Sequence, residues 1–186
     1  ARSEGFFDEE ILPIAAEQAD GKTLTVDKDQ AVRENATVDG MADLKPAFKP
    51  DGVVTAGNSS PLNAGATSML LMSRETAKMK GIKRLATIRS IGFAGVDPTI
   101  MGQGPVPASK KALEKAGLNA SDIDFWEINE AFCIVALNCI QELGLDPQKV
   151  NVMGGGTAIG HPLGATGIRL TGTLARILNV KDARYG

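Results

Sequence analysis

The chain has 186 residues, 43% hydrophobic and 23% charged, with a net charge of −2 and a pI of about 5.5. This is the composition of a globular protein long enough to bury a sizeable core, as one domain or two small ones. It excludes the broad basic footprint of a nucleic-acid binder, and no apolar run approaches the length of a membrane span. The opening residues ARSEGFFDEEILP carry four acidic side chains and lack an apolar core. They therefore match neither a signal peptide nor a transit peptide, and a cytoplasmic setting is the default expectation.

Residues 1–50 are polar and irregular, with FFDEEILPI as a short amphipathic piece and KTLTVDKD alternating like a strand. LKPAFKPDG ends in a turn. This region shows no core-forming period and reads as an excursion from a larger domain. Residues 51–80 are small and apolar, then helical. AGNSSPLNAG is dense in turn formers. TSMLLM fits either a buried strand or part of a helix.

From residue 81 the pattern is cleaner. RLATIRSIGFAG reads as a strand. PVPASKKALEKAG reads as a helix with prolines at its start, Ala108, Ala112 and Ala116 on one face, and Gly117 as its stop. DFWEI reads as a strand, followed by the strongest helix, NEAFCIVALNCIQELG. There Phe132, Val135, Ala136, Cys139, Ile140 and Leu143 form one stripe. Asn129 suits its N-cap and Gly144 its end. KVNVM is a further strand. A glycine-dense loop follows, and then GIRLTGTLARIL, a helix with Leu170, Leu174, Ile177 and Leu178 aligned. Strands alternating with helices indicate an α/β fold.

The two cysteines, Cys133 and Cys139, lie six apart on one predicted helix. They point roughly 120° away from each other, so they should be reduced and packed rather than bonded. The single histidine, His161, sits in the loop GGGTAIGHPLGATG. In open α/β sheets, ligands bind beyond the carboxyl ends of the strands. Asn129 and His161 both fall there, on one predicted edge. A helix N-terminus beyond the loop favours a neutral imidazole, suited to act as a base towards a thiol or to donate to an oxyanion. Gly-Lys-Ser/Thr and GxGxxG are both missing from the loop, which weakens a phosphate cradle. One histidine and two diverging cysteines give no zinc spacing, so no metal is expected. A passive structural turn remains open on these grounds.

Four blocks in order then carry a resemblance: TAGNSSPLNAGA at 55–66, GVDPTIMGQGPVPASKKAL at 95–113, NEAF at 129–132 and GHPLGATG at 160–167. Together they resemble the signature blocks of the thiolase family, acyl-CoA C-acyltransferases, from about residue 30 to the end. The resemblance implies the family's α-β-α-β-α layered fold, here incomplete. Residues 1–50 would be the end of a loop domain over coenzyme A. Residues 51–80 would close the N-terminal half, and 81–186 would be the first part of the C-terminal half. It implies that His161 activates a nucleophilic cysteine and binds the thioester oxygen. Asn129 would hold a water in the same oxyanion hole. Phe132 would line the pocket, Ala56 and Ser60 would touch the pantetheine arm, and Arg33 would lie near the nucleotide of coenzyme A. Gly40 stands where many members have a serine near coenzyme A.

The resemblance also places the acylated cysteine before residue 1 and the acid/base cysteine beyond Gly186. Acyl-CoA and coenzyme A are thus expected as substrates, with no further cofactor. A missing N-terminal half or partner chain is expected, in a homo-oligomer, and the chain alone should be inactive. The alternatives are a non-catalytic acyl-CoA-binding or scaffold subunit, and a stand-alone hydrolase using Cys133.

Overall fold

A computed structural model describes all 186 residues. After a short 3-10 turn at Arg2–Glu4, β1 (Ile14–Glu17) and β2 (Thr23–Val26) form an antiparallel hairpin, paired Ile14 to Val26 through Glu17 to Thr23. Its turn closes through Gln18 N–H to the Lys22 carbonyl at 2.7 Å, with Gly21 in the left-handed region at φ 78°. The short helix α1 (Val38–Ala42) is capped by the Thr37 hydroxyl, which accepts from Gly40 N–H, and α2 (Arg74–Met79) by the Ser73 hydroxyl, which accepts from Thr76 N–H. The turn expected at LKPAFKPDG is present, with Pro46 bridged to Thr55 and Ala47 N–H bonded to the Val54 carbonyl.

The core lies in the second half. Here α3 (Pro105–Ala116) packs on α4 (Cys133–Leu143), and Val106, Ile128, Val135, Ala136, Cys139 and Leu145 form one buried cluster. Phe132, Ile140 and Leu143 pack against it from the same stripe of α4, so the apolar period of this segment is realised as read. Both helices end on a left-handed glycine, Gly117 at φ 66° and Gly144 at φ 62°, where a side chain would be strained. A second buried patch comes from α6 (Thr166–Val180), whose Ile177 is fully enclosed.

Three segments expected as strands form almost no ladder, and in KVNVM only Val150 is strand-like, between a 3-10 turn that ends at Lys149 and a turn at 152–153. DFWEI and KVNVM meet at a single parallel bridge, Trp126 to Val150, with α4 as the crossover between them. RLATIRSIGFAG forms no bridge, and no backbone–backbone hydrogen bond involves residues 83–96. Instead it lies along α3. Lys111 Nζ and Lys115 Nζ donate to the Phe93 and Ile91 carbonyls, and Ser90 Oγ donates to the Ala112 carbonyl. Gly92 makes this approach possible, because a Cβ there would collide with the Ala108 carbonyl. TSMLLM is neither strand nor helix, and Leu70 and Leu71 are exposed. Apolar alternation specifies extended backbone; a strand also needs a lateral partner, which these segments do not find within the chain.

The start of α4 also differs from the sequence expectation. Its N-cap is Phe132, not Asn129. An antiparallel bridge from Ser59 to Phe132, with Ser60 N–H bonded to the Ala131 carbonyl, holds Phe132 extended at φ −138°, ψ 144°. The helix cannot begin earlier, and the Asn129 side chain is released from capping.

Candidate active site

The Trp126–Val150 bridge brings the ends of two extended segments side by side, and the chain then leaves each end as a loop. Asn129 lies on the first and His161 on the second. Their side chains meet: Asn129 Nδ2 is 3.2 Å from His161 Nε2 and 3.4 Å from Nδ1. His161 Nδ1 is 2.7 Å from Thr166 Oγ1, and that hydroxyl lies 2.9 Å from the Pro162 carbonyl. A carbonyl only accepts, so the Thr166 proton goes to Pro162. Thr166 Oγ1 then accepts from Nδ1–H. We assign His161 to the Nδ1–H tautomer on this ground, with the Nε2 lone pair facing the Asn129 amide. Thr166 is 3% exposed and sits in the first turn of α6, so its hydroxyl is held by the helix itself.

The loop between the two residues is shaped by close approach. Gly160 has φ 99°, and a Cβ there would collide with the Asn63 amide, whose Nδ2 donates to the Ile159 carbonyl at 2.8 Å. A Cβ on Gly65 would lie only 2.8 Å from Pro162 Cγ, and Thr67 Oγ1 donates to the Ala165 carbonyl. The segment 59–67 is therefore a strap across the histidine loop. A four-residue helical turn, α5 (Gly156–Ile159), lies inside that loop.

Three polar residues outside the sequence expectation complete the surroundings. Asn151, at φ 48°, ends its extended segment. Its Oδ1 accepts from Ile128 N–H at 2.7 Å and its Nδ2 donates to the Ile128 carbonyl at 2.9 Å. The side-chain amide thus stands in for the next rung of the parallel pair. Glu130 accepts from Asn151 Nδ2 at 2.6 Å and from Thr157 N–H at 3.1 Å. Glu127 has both carboxylate oxygens buried without a partner, and burial raises its pKa to about 7 against the pull of Arg169. Burial likewise lowers the Arg169 pKa, and the two form no ion pair within 4 Å. The available signal was a lone polar residue within an apolar run: Glu127 in DFWEI and Asn151 in KVNVM.

The remaining candidates divide. Phe132 is half-buried, its ring edge-on to Phe48 at 5.9 Å, and Ser60 is tied to Ala131 beside it. Ser60 is thus paired with the segment that carries Asn129, two residues from it. Ala56 is exposed in a short 3-10 turn at Ala56–Asn58, and Arg33 is exposed with no side-chain hydrogen bond or ion pair. Neither is brought into contact with the Asn129–His161 pair. Both cysteines are free. Cys139 is 1% exposed in the core, and burial raises its thiol pKa. Cys133 Sγ partners Thr157 Oγ1 at 3.3 Å, not His161. No cluster of three or more histidine, cysteine or acidic side chains is placed to hold a metal. No helix is long and apolar enough to cross a membrane.

Chemically, a neutral imidazole with a free Nε2 and an adjacent amide N–H can take a proton from a thiol. Once protonated, the same pair can present N–H donors to an oxygen that gains negative charge.

Comparison with known proteins bears on this arrangement. The family model "Thiolase, C-terminal domain" matches residues 82–186, and "Thiolase, N-terminal domain" matches residues 1–75. The chain is 48% identical to a 3-ketoacyl-CoA thiolase of Vibrio vulnificus and 49% identical to one of Salmonella typhi, over 100% of this chain and 49% of each relative. It thus spans about half the length of the curated relatives it matches. A crystal structure of the Bacillus anthracis acetyl-CoA acetyltransferase superposes with TM-score 0.92 at 46% identity, over 98% of this chain and 46% of that one. Human mitochondrial 3-ketoacyl-CoA thiolase in complex with CoA superposes with TM-score 0.83 at 37% identity, over 99% and 45%. The α/β architecture is therefore a portion of the fold of these structures.

Proposed function

Because this chain belongs to the thiolase family, we propose that its Asn129–His161 pair is the base and oxyanion half of an acyl-CoA C-acyltransferase site. The observation that carries this is the relay Pro162–Thr166–His161–Asn129, which leaves Nε2 unprotonated beside an amide donor. In this reading Nε2 accepts the proton of a cysteine thiol supplied from outside residues 1–186. The thiolate attacks the ketone carbon of a 3-ketoacyl-CoA, and the carbonyl oxygen becomes an oxyanion. Imidazolium Nε2–H, with Asn129 acting through a water, stabilises that charge. Carbon–carbon cleavage leaves an acyl-cysteine, and the expelled acetyl-CoA carbanion takes a proton from a second thiol outside the chain. Coenzyme A returns its thiol proton to that second thiolate and attacks the acyl-cysteine, and the cysteine thiolate released regains its proton from the imidazolium. Phe132 lines the acyl side, Ser60 and Ala56 the pantetheine side, and Arg33 the nucleotide. The complete enzyme is read as a cytoplasmic homo-oligomer.

Two measurements test this together. Calorimetric titration of the chain with coenzyme A should show binding, and thiolysis of a short 3-ketoacyl-CoA by the chain alone should be absent. Turnover by the 186 residues would overturn the external nucleophile. No binding at millimolar coenzyme A would overturn the substrate assignment. The non-catalytic acyl-CoA-binding reading draws support from neither cysteine meeting His161: Cys139 is in the core and Cys133 Sγ partners Thr157 Oγ1. It predicts the same binding, but no turnover when the missing half is supplied.

A further inference from the structure

Glu130 stands between the two loops that carry the site. One carboxylate oxygen receives Asn151 Nδ2 at 2.6 Å and the other receives Thr157 N–H at 3.1 Å, at the start of the histidine loop's helical turn. Asn151 is in turn committed on both its amide atoms to Ile128 N–H and C=O. Ile128 immediately precedes Asn129. The space beside the carboxylate is filled by backbone: a Cβ on the buried Gly155 would lie 2.6 Å from Glu130 Cδ and Oε2. Both partners of Glu130 are donors, each already fixed by other bonds or by the turn. Only a group with two acceptor atoms satisfies them at once.

We infer that Glu130 is a positioning residue, a carboxylate clamp that sets the alignment of Asn129 against His161 by tying the first loop to the second through Asn151 and Thr157. It touches neither reacting atom. The inference rests on the reading of Asn129 and His161 as the working pair, and it assigns to the acidic residue of NEAF a task separate from that of its asparagine. A glutamine at 130 retains one acceptor and turns an NH2 group against the other donor. Asn151 cannot rotate to relieve this without breaking both bonds to Ile128.

The test is spectroscopic, because His161 is the sole histidine: its ring signals need no residue assignment, and coupling to Hδ2 and Hε1 tells Nε2 from Nδ1. Long-range 1H–15N spectra of the neutral ring report the ratio of Nε2–H to Nδ1–H tautomers. In the wild-type chain the Nδ1–H form should dominate. Thr166→Val, which removes its acceptor, shows that the signature responds. Glu130→Gln should raise the Nε2–H to Nδ1–H ratio about tenfold. Val106→Ala, which opens the same core without touching the carboxylate, should lower the melting temperature and leave the ratio unchanged.

Asn151→Asp, which sets an acceptor against Glu130, should reproduce the Glu130→Gln spectrum. If Glu130→Gln does not fold, Glu130→Asp is read in its place and should shift the ratio in the same direction. A folded Glu130 variant with the wild-type ratio overturns the clamp, as does an equal shift in Val106→Ala. Coenzyme A titration is independent of this readout. A shifted ratio in a chain that binds no coenzyme A would leave the clamp standing and remove the functional reading.

Discussion

Glu127 gives the stability of this chain a definite slope with pH. Its carboxylate oxygens are buried and unpartnered, and its pKa rises from 4.5 to about 7, chiefly through burial. The unfolded chain therefore releases this proton near pH 4.5, while the folded chain keeps it until about 7. Between those values the folded state binds more protons, so stability falls as pH rises and levels off above 7. At 1.36 kcal/mol per pH unit the gap is worth at most about 3.4 kcal/mol. Glu127 is only partly shielded from solvent, and about 1–3 kcal/mol is the expected loss. Glu127→Gln preserves shape and removes the titration. Urea unfolding of both proteins from pH 5 to pH 8 isolates the effect, because the other titrating groups cancel in the difference. The wild type should lose this stability relative to the variant across the window. A difference that stays constant, or that grows in favour of the wild type as pH rises, would refute the reasoning.

Ile177 is wholly enclosed on α6, so Ile177→Ala should cost about 2–5 kcal/mol by thermal or urea unfolding; a cost under ~1 kcal/mol would show that the site collapses around the deletion. Cys139 should resist iodoacetamide until the chain unfolds, since it is 1% exposed and burial raises its thiol pKa, while the half-buried Cys133 should label in the folded state. Mass spectrometry of the labelled protein, with and without denaturant, reads both sites.

The helices were legible because their determinants are local. The stripe from Phe132 to Leu143 and the left-handed glycines at 117 and 144 announce α3 and α4 within a dozen residues of sequence. The strands were legible only in part: DFWEI and KVNVM meet at one bridge, and RLATIRSIGFAG pairs with no other segment. RLATIRSIGFAG has the right alternation but rests on lysine and serine side chains of α3 and its own segment. The juxtaposition of Asn129 and His161 followed from their places after two strands, and the structure brings them together. The cap assigned to Asn129 did not follow, because a distant residue, Ser59, holds Phe132 extended. Thr166 and Glu130 were silent for the same reason, and Asn151 stood out in its apolar run without naming its partner. Their meaning lies in partners 5, 23 and 27 positions away, and nothing in the residues themselves says which hydroxyl, amide or carboxylate will be met.

The strap at 59–67 has a kinetic consequence. Asn63 closes on Ile159 across 96 residues and Thr67 on Ala165 across 98, whereas α3 and α4 pack as near neighbours in sequence. Contacts that close such long loops carry their entropic cost before they return any stabilisation, and they form slowly. The core of α3 and α4 can consolidate while the histidine loop is still searching for its strap. The loop around His161 is therefore closed over by contacts that form late, while the ring itself is held by its near neighbour Thr166.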